Sequence, residues 1–480
     1  MDEPTGLDPE DWGELRALGH RMLDDMIDDL ARIREQPAWR KLPAERRQEL
    51  RAPLAEAPAG PEQAYADFRR LVLPYATGNR HPRFMGWVHG GGNPVGMLAE
   101  LLAGGLNANL GGRDHAPIEV ERQVIRWVAA TLGFPAEASG LLLTGSSLAN
   151  FVAVLVARTA ALGTGVRRTG VQGARLTAYT SAAAHSCIPR AVDMAGLGSD
   201  SLRLIARDPA ERMDVGALKA AITQDRQAGA IPFLVVATAG TVETGAVDDL
   251  AAIAALCRAE GLWFHVDGAF GAMAALAPSL RPLLAGIEQS DSVALDFPKW
   301  AQVPYDAGCV LIRDPVRHRE TFVQPASYLR REARGLAGGH PWPCDFGPDL
   351  SRGFRALKVW MTLKAYGAER LGSVVEHTCA LARRLAARVD SEPALERLAP
   401  VALNIVCFRF IASGADLDRL NTDIVADLQE DGIAAPSTVT VNGKLAIRAA
   451  IVNHRTRAED VDALVDAVLA TGRSRTTRAA

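Results

Sequence analysis

Three short segments carry residue types that could do chemistry together. In Leu143-Thr144-Gly145-Ser146-Ser147-Leu148-Ala149-Asn150, a strand-like run meets small hydroxyl-bearing residues and then the helical pattern of 151–161. Free N–H groups at a helix N-terminus, with the Ser146 and Ser147 hydroxyls, make an anion cup suited to a phosphate. Alone, such a turn is more often a serine-rich helix cap. No GxxxxGK[ST] lysine and no GxGxxG run is present, so a nucleoside triphosphate or dinucleotide is not favoured. The second segment, Leu262-Trp263-Phe264-His265-Val266-Asp267-Gly268-Ala269-Phe270, is an apolar strand ending in a carboxylate. Ligands of open α/β sheets bind beyond the carboxyl ends of strands, where Asp267 stands; a lone Asp would otherwise cap the next helix. The third, Leu295-Asp296-Phe297-Pro298-Lys299-Trp300, places a lysine just past another short strand. Most lysines are surface groups, but one held between Pro298 and Trp300 is a candidate Schiff-base amine.

Together the three supply what pyridoxal phosphate requires: a phosphate cup, an acidic partner for the pyridinium nitrogen and a lysine for the aldehyde. The interval from Asp267 to Lys299 leaves room for one helix and one return strand. A fourth piece is His185 in Ala184-His185-Ser186-Cys187, which could stack on a flat heteroaromatic ring or serve as a buried structural histidine.

The elements that must position these groups are legible in the pattern. Apolar β-rich runs at 141–143, 176–179, 233–237, 262–266, 292–295 and 309–312 alternate with alanine-rich helical stretches, which predicts an α/β fold with a mostly parallel sheet and helices on both faces. Before it, Asp8-Pro9-Glu10-Asp11 predicts a capped amphipathic helix and then an arm of short helices. After it come a helical run through Val389, strands at 405–411 and 445–451, and a capping box at Thr456-Arg457-Ala458-Glu459 opening a last helix. The expected division is an N-terminal arm over 1–79, a large domain over 80–371 and a small α+β domain over 372–480.

Bulk properties narrow the partners. The 480 residues are 48% hydrophobic and 23% charged, which excludes wholesale disorder. A net charge of −3 provides no positive field for nucleic acid or an acidic membrane, so a small-molecule partner is expected. Six scattered cysteines without CxxC or zinc-finger spacing read as reduced thiols, with no metal site. The acidic start Met1-Asp2-Glu3-Pro4 lacks signal-peptide features, and the uncharged stretch 138–157 reads as a turn entering a buried helix, so a cytoplasmic protein without a membrane span is expected.

His81-Pro82-Arg83-Phe84, the 144–150 turn, Ala184-His185-Ser186, Ala237-Thr238-Ala239-Gly240-Thr241, His265-Val266-Asp267-Gly268-Ala269, Lys299-Trp300 and Asn453-His454-Arg455-Thr456 occur in the order seen in group II pyridoxal-phosphate decarboxylases. The chain resembles their aromatic-L-amino-acid decarboxylase branch of bacterial type, strongly from about Arg80 to Asp462. The resemblance implies a fold-type I homodimer with its active site at the subunit interface, acting on an L-amino acid, with an aromatic one expected. It implies Lys299 as the cofactor-binding lysine, Asp267 as partner of the pyridinium nitrogen, His185 as the stacked ring and Ala269 as packing under the cofactor. Gly145, Ser146 and Ser147 would hold the phosphate with Asp296 nearby, Thr238 would contact the cofactor, and Trp87 and His89 would line the substrate pocket. The segment 324–354 resembles a mobile lid, its Gly335, Gly338, Gly339 and Pro341 fitting that role.

Two departures stand out. Pro298 occupies the place where the family usually has histidine, and no tyrosine lies between Leu329 and Phe354, where animal aromatic decarboxylases carry one that serves in Cα protonation. Tyr328 lies upstream of the lid's middle and does not inherit that role. Slow protonation would let dioxygen divert the product, so an aldehyde synthase is the first alternative; a non-catalytic protein of the same fold, motivated by Pro298, is the second. His89 stands where many relatives are apolar.

Overall fold

The computed structural model describes residues 6–54, 56–324, 332–339 and 341–479. The predicted strands are present as β1 (Ser139–Leu143), β2 (Leu176–Ser181), β4 (Ile231–Thr238), β5 (Trp263–Asp267), β6 (Ser292–Asp296) and β7 (Gly308–Ile312). An additional edge strand, β3 (Leu202–Ile205), joins them in the order β1-β7-β6-β5-β4-β2-β3. β2 to β6 pair in parallel, and β7 runs antiparallel to both β6 and β1. The runs are apolar throughout because both faces are covered. Along β4, Leu234 and Val236 pack with the helices Ser146–Leu162 and Cys187–Met194, while Val235 and Ala237 pack with Val215–Gln227 and Leu250–Glu260. The uncharged stretch 138–157 is β1, a turn and the start of the buried helix Ser146–Leu162, as predicted.

A second sheet holds β8 (Leu395–Arg397), β9 (Ile405–Phe410), β10 (Ser437–Val441) and β11 (Lys444–Ala450), all antiparallel in the order β10-β11-β9-β8. The helices Leu417–Glu430 and Ala458–Ala479 contribute Ile424, Leu428, Val461 and Leu464 to its core. The helical run read through Val389 begins at Arg355, ends at Ser391 and is interrupted only by left-handed Gly367. Its early residues Ala356 and Val359 pack in the large core and its late ones, Leu381 and Leu385, in the small one.

Two caps differ from expectation. The first helix is Trp12–Ala31, and Asp11, not Asp8, accepts from Gly13 and Glu14 N–H. The Thr456 hydroxyl donates to the Pro82 carbonyl instead of closing a capping box, and it is Asp460 that accepts from Arg457 N–H. Asp460 also pairs with Arg34, tying the N-terminal arm to the last helix. All six cysteines are buried. Among the described residues no helix is long and apolar enough to cross a membrane, and no cluster of His, Cys, Asp and Glu could hold a metal ion.

Candidate active site at the carboxyl ends of the strands

The lysine, both carboxylates and the serine turn converge at one end of the large sheet. β1 runs through Thr144 and Gly145 into the helix that starts at Ser146. This turn settles onto β7 only because Gly308 has no side chain: a Cβ there would lie 2.3 Å from the Gly145 carbonyl carbon. Ser146 is buried and its hydroxyl donates to Asp296 Oδ2 at 3.2 Å. Lys299 Nζ stands 3.5 Å from Ser146 Oγ and 3.8 Å from Asp296 Oδ2. Burial holds the Asp296 carboxyl above its ordinary range, against the charge of Lys299. Ser147 is exposed at the mouth of the cup. The lysine loop is anchored by fully buried Trp300, whose indole donates to Thr378 at 2.9 Å.

Asp267, at the end of β5, is 2% exposed. Among the described residues its hydrogen-bond donors are the Ala269 N–H, 3.1 Å from Oδ1, and the Cys187 thiol, 4.0 Å from Oδ2. A buried carboxylate with so little neutralisation is shaped for a cationic N–H partner. Thr238 is the register neighbour of Asp267 on β4, and among the described residues its buried hydroxyl has no partner. His185 accepts from Cys187 N–H through Nδ1 at 3.2 Å, leaving Nε2 to carry a proton. Burial lowers its imidazole below the ordinary value and the Asp267 charge opposes that shift. An anion cup, an amine beside it, an underpaired buried carboxylate and an orphaned hydroxyl fit pyridoxal phosphate.

The opposite wall is built from 83–93. Trp87, half-exposed with φ +49°, and His89 stack with ring centroids 6.2 Å apart. His89 also stacks on Phe84 at 6.1 Å and meets Tyr305 edge-on at 5.9 Å. Burial, and then the charges of Lys299 and Arg448, lower the His89 imidazole. The wall touches the lysine loop directly: Gly90 N–H donates to the Pro298 carbonyl at 3.1 Å, and a Cβ on Gly90 would lie 2.2 Å from the carbonyl oxygens of Pro298 and Lys299.

Sequence reasoning missed what holds this wall. Asn453 Nδ2 donates to the carbonyls of Asn79, Arg80 and His81 at 2.9 to 3.2 Å. Arg455 donates to Gly91, His454 meets the Gly92 carbonyl at 3.0 Å, and Thr456 takes Pro82. The only signal was that Asn453-His454-Arg455-Thr456 belongs to the ordered set of motifs. Tyr305 carried no signal. Of the expected lid, 325–331 and 340, including Tyr328 and Leu329, lie outside the described residues. Its later part is pinned: Trp342 is fully buried and donates to Gly338, Cys344 N–H reaches Gly111, and buried Arg352 pairs with Glu121 at 2.5 Å.

Residues 43–411 match the pyridoxal-dependent decarboxylase conserved domain. Over 470 residues the chain is 34% identical to an aromatic-L-amino-acid decarboxylase of Bacillus atrophaeus, a match covering 96% of this chain and 95% of that one. It is 28% identical over 469 residues to a phenylacetaldehyde synthase of Arabidopsis thaliana, covering 94% of each. The crystal structure of Oryza sativa TDC with PLP and tryptamine superposes with a TM-score of 0.88 at 25% identity, covering 98% of this chain and 100% of that one. The chain belongs to the pyridoxal-dependent decarboxylase family. Its activity is decarboxylation of an amino acid with pyridoxal phosphate as cofactor, on the fold that the ordered motifs implied.

Proposed function

We propose that the chain works as a homodimer that converts an aromatic L-amino acid to its amine and carbon dioxide. The observation that carries the aromatic assignment is the ring wall of Phe84, Trp87, His89 and Tyr305 beside the lysine loop. Lys299 binds the cofactor aldehyde, Asp267 faces its ring nitrogen, and His185 and Ala269 pack on the two ring faces. Gly145, Ser146 and Ser147 take the phosphate, Asp296 orients Ser146 and Lys299, and the Thr238 hydroxyl contacts the cofactor. When bound, pyridoxal phosphate supplies the electron sink for breaking the bond between Cα and the carboxylate. Trp87 and His89 orient the substrate side chain, and His185 Nε2 holds the proton returned to Cα.

The dimer reading rests on uncovered apolar surface. Trp12, Leu15, Met22 and Ile27 are exposed on the first helix, as are Leu98, Leu101, Leu102 and Leu106 on Pro94–Leu106. Such rows need a partner, and we assign 1–79 as the dimer-forming arm, 80–371 as the cofactor domain and 372–480 as the small domain. Buried cysteines without CxxC spacing fit a cytoplasmic location.

The absence of tyrosine between Leu329 and Phe354 favours one second reading, an oxygen-consuming aldehyde synthase. Turnover of aromatic amino acids in air and under nitrogen decides between them. Amine as main product in both supports the decarboxylase, whereas aldehyde and ammonia in air with amine only under nitrogen support the synthase. Borohydride reduction and peptide mapping should label Lys299; label on another lysine overturns the site.

A further inference from the structure

β5 carries a polar row. Trp263, His265 and Asp267 alternate along it and therefore share one face of the sheet. The Trp263 indole donates to Ser292 Oγ at 2.8 Å. Ser292 Oγ accepts that N–H and keeps its own proton to donate to His265 Nδ1, 2.8 Å away, the direction that Asn150, with Oδ1 toward Nε2, requires of a neutral ring. With Nδ1 accepting, the neutral imidazole donates from Nε2 to Asn150 Oδ1 at 2.7 Å. The Asn150 amide has Nδ2 toward Cys187 Sγ at 3.5 Å, and the thiol closes on Asp267 Oδ2 at 4.0 Å, the longest link.

Ser292, His265 and Asn150 have no solvent exposure, so water cannot replace a missing partner. The two groups that must keep a defined protonation state do so. Burial lowers the His265 imidazole to about 4, which leaves it neutral, and burial with the Asp267 charge pushes the Cys187 thiol up to about 12, which leaves it a donor.

We infer that this one-way hydrogen-bond chain, Trp263 to Ser292 to His265 to Asn150 to Cys187 to Asp267, positions Asp267 and steadies its negative charge for the cofactor ring nitrogen. The functional half rests on the proposed placement of Asp267. All five bonds point the same way, so each polarises the next. No proton moves along the chain. Cys187, Asn150, His265, Ser292 and Trp263 are positioning residues, and the chain runs from an indole that can only donate to a carboxylate that can only accept. Were the chain reversed, Asn150 would turn its carbonyl to the thiol, and the S–H would point away from Asp267.

The test reads the Cys187 S–H stretch in cofactor-free full-length enzyme, isolated as the infrared difference against Cys187→Ser. The expected band is shifted to lower frequency by hydrogen bonding, and it returns part of the way in Trp263→Phe and further in His265→Phe. Trp263→Phe keeps a ring in place and suffices where the buried histidine variant does not fold. A band at the free-thiol position, or one unmoved in Trp263→Phe, overturns the chain. In the same variants the dissociation constant for pyridoxal phosphate is titrated by fluorescence. Cys187→Ala should weaken it about threefold, the scale of one net hydrogen bond, and Cys187→Ser should restore it. A shifted band with cofactor affinity unchanged in every variant upholds the chain and places the failure in the assignment of Asp267 to the ring nitrogen.

Discussion

The two sides of the site are built by different means. The side proposed for the cofactor is made of strand ends of a single sheet and one helix N-terminus, and its groups are fixed by neighbours that are themselves buried. The side proposed for the substrate is a loop, with Trp87 half-exposed in the left-handed region, hung between the lysine loop at Gly90 and the segment Asn453 to Thr456. In the proposed reading, chemistry that must not vary sits on the sheet, and the part assigned to substrate choice sits where side chains can change without disturbing the core. The same division leaves the loop wall dependent on ties reaching across most of the chain.

Acid is the strongest way to stress both sides at once. Four histidines are held neutral: His265 on β5 at about 4, His318 on the helix Pro315–Phe322 at about 3, and His81 and His454 around the wall at about 4. Their folded values lie below the unfolded value of about 6.5, so the unfolded chain binds more protons and stability falls as pH drops from about 6.5 toward 4. At pH 5 each contributes a loss of about 2 kcal/mol. Asp248, raised to about 6 by burial, works in the opposite direction between pH 6 and its unfolded value near 4, offsetting about 1.5 kcal/mol. Urea midpoints should therefore drop steeply between pH 7 and pH 5. The wall should loosen first, because local openings draw on the least packed elements. A rise in substrate KM at a pH where cofactor absorbance is unchanged would show that order; cofactor loss preceding it would remove the distinction between the two sides.

Substitutions at the ties sharpen the comparison. Gly90→Ala forces a methyl to within 2.2 Å of two backbone carbonyls, so the wall must withdraw from the lysine loop. We expect a loss of about 3 kcal/mol or more and near-complete loss of turnover. Asn453→Ala deprives three carbonyls of one donor group and should cost about 2 kcal/mol. Its mark should be a raised KM with pyridoxal phosphate affinity within about twofold of the parent. Equal loss of cofactor affinity would mean that the wall and the cup are one mechanical unit.

Legibility in the sequence follows the same divide. Asp267, Lys299 and the Ser146 turn could be read because each follows an apolar strand, and in a parallel sheet the carboxyl end of a strand is where function sits. Asn150, Cys187 and Ser292 gave no such signal, since their partners come from three other elements. The Asn453 tie reaches back more than 370 positions, which no local pattern encodes. β3 escaped notice because it is a four-residue edge strand whose only buried residue is Ile205, and β10 because Thr438 and Thr440 face solvent. Asp8 and Asp11 offered equivalent cap chemistry one turn apart, and only the fold chose between them.

The smallest expected effect is at Pro298, where the family resemblance expects histidine. Pro298 is buried, and what it gives the site is its carbonyl, which receives the Gly90 N–H; a histidine backbone supplies the same acceptor. Releasing the proline ring frees the unfolded chain and costs about 0.4–1 kcal/mol. A new imidazole near the cofactor could return about one hydrogen bond of similar worth. The cup already has Ser146 and Ser147 and the first N–H groups of a 17-residue helix, with Lys299 beside it. Pro298→His should therefore change pyridoxal phosphate affinity by less than about threefold, measured by fluorescence titration of the cofactor-free enzyme. Tenfold tighter retention would show the cup to be short of a donor. The rigid side of the site would then be the under-built one, and the loop wall the side already complete.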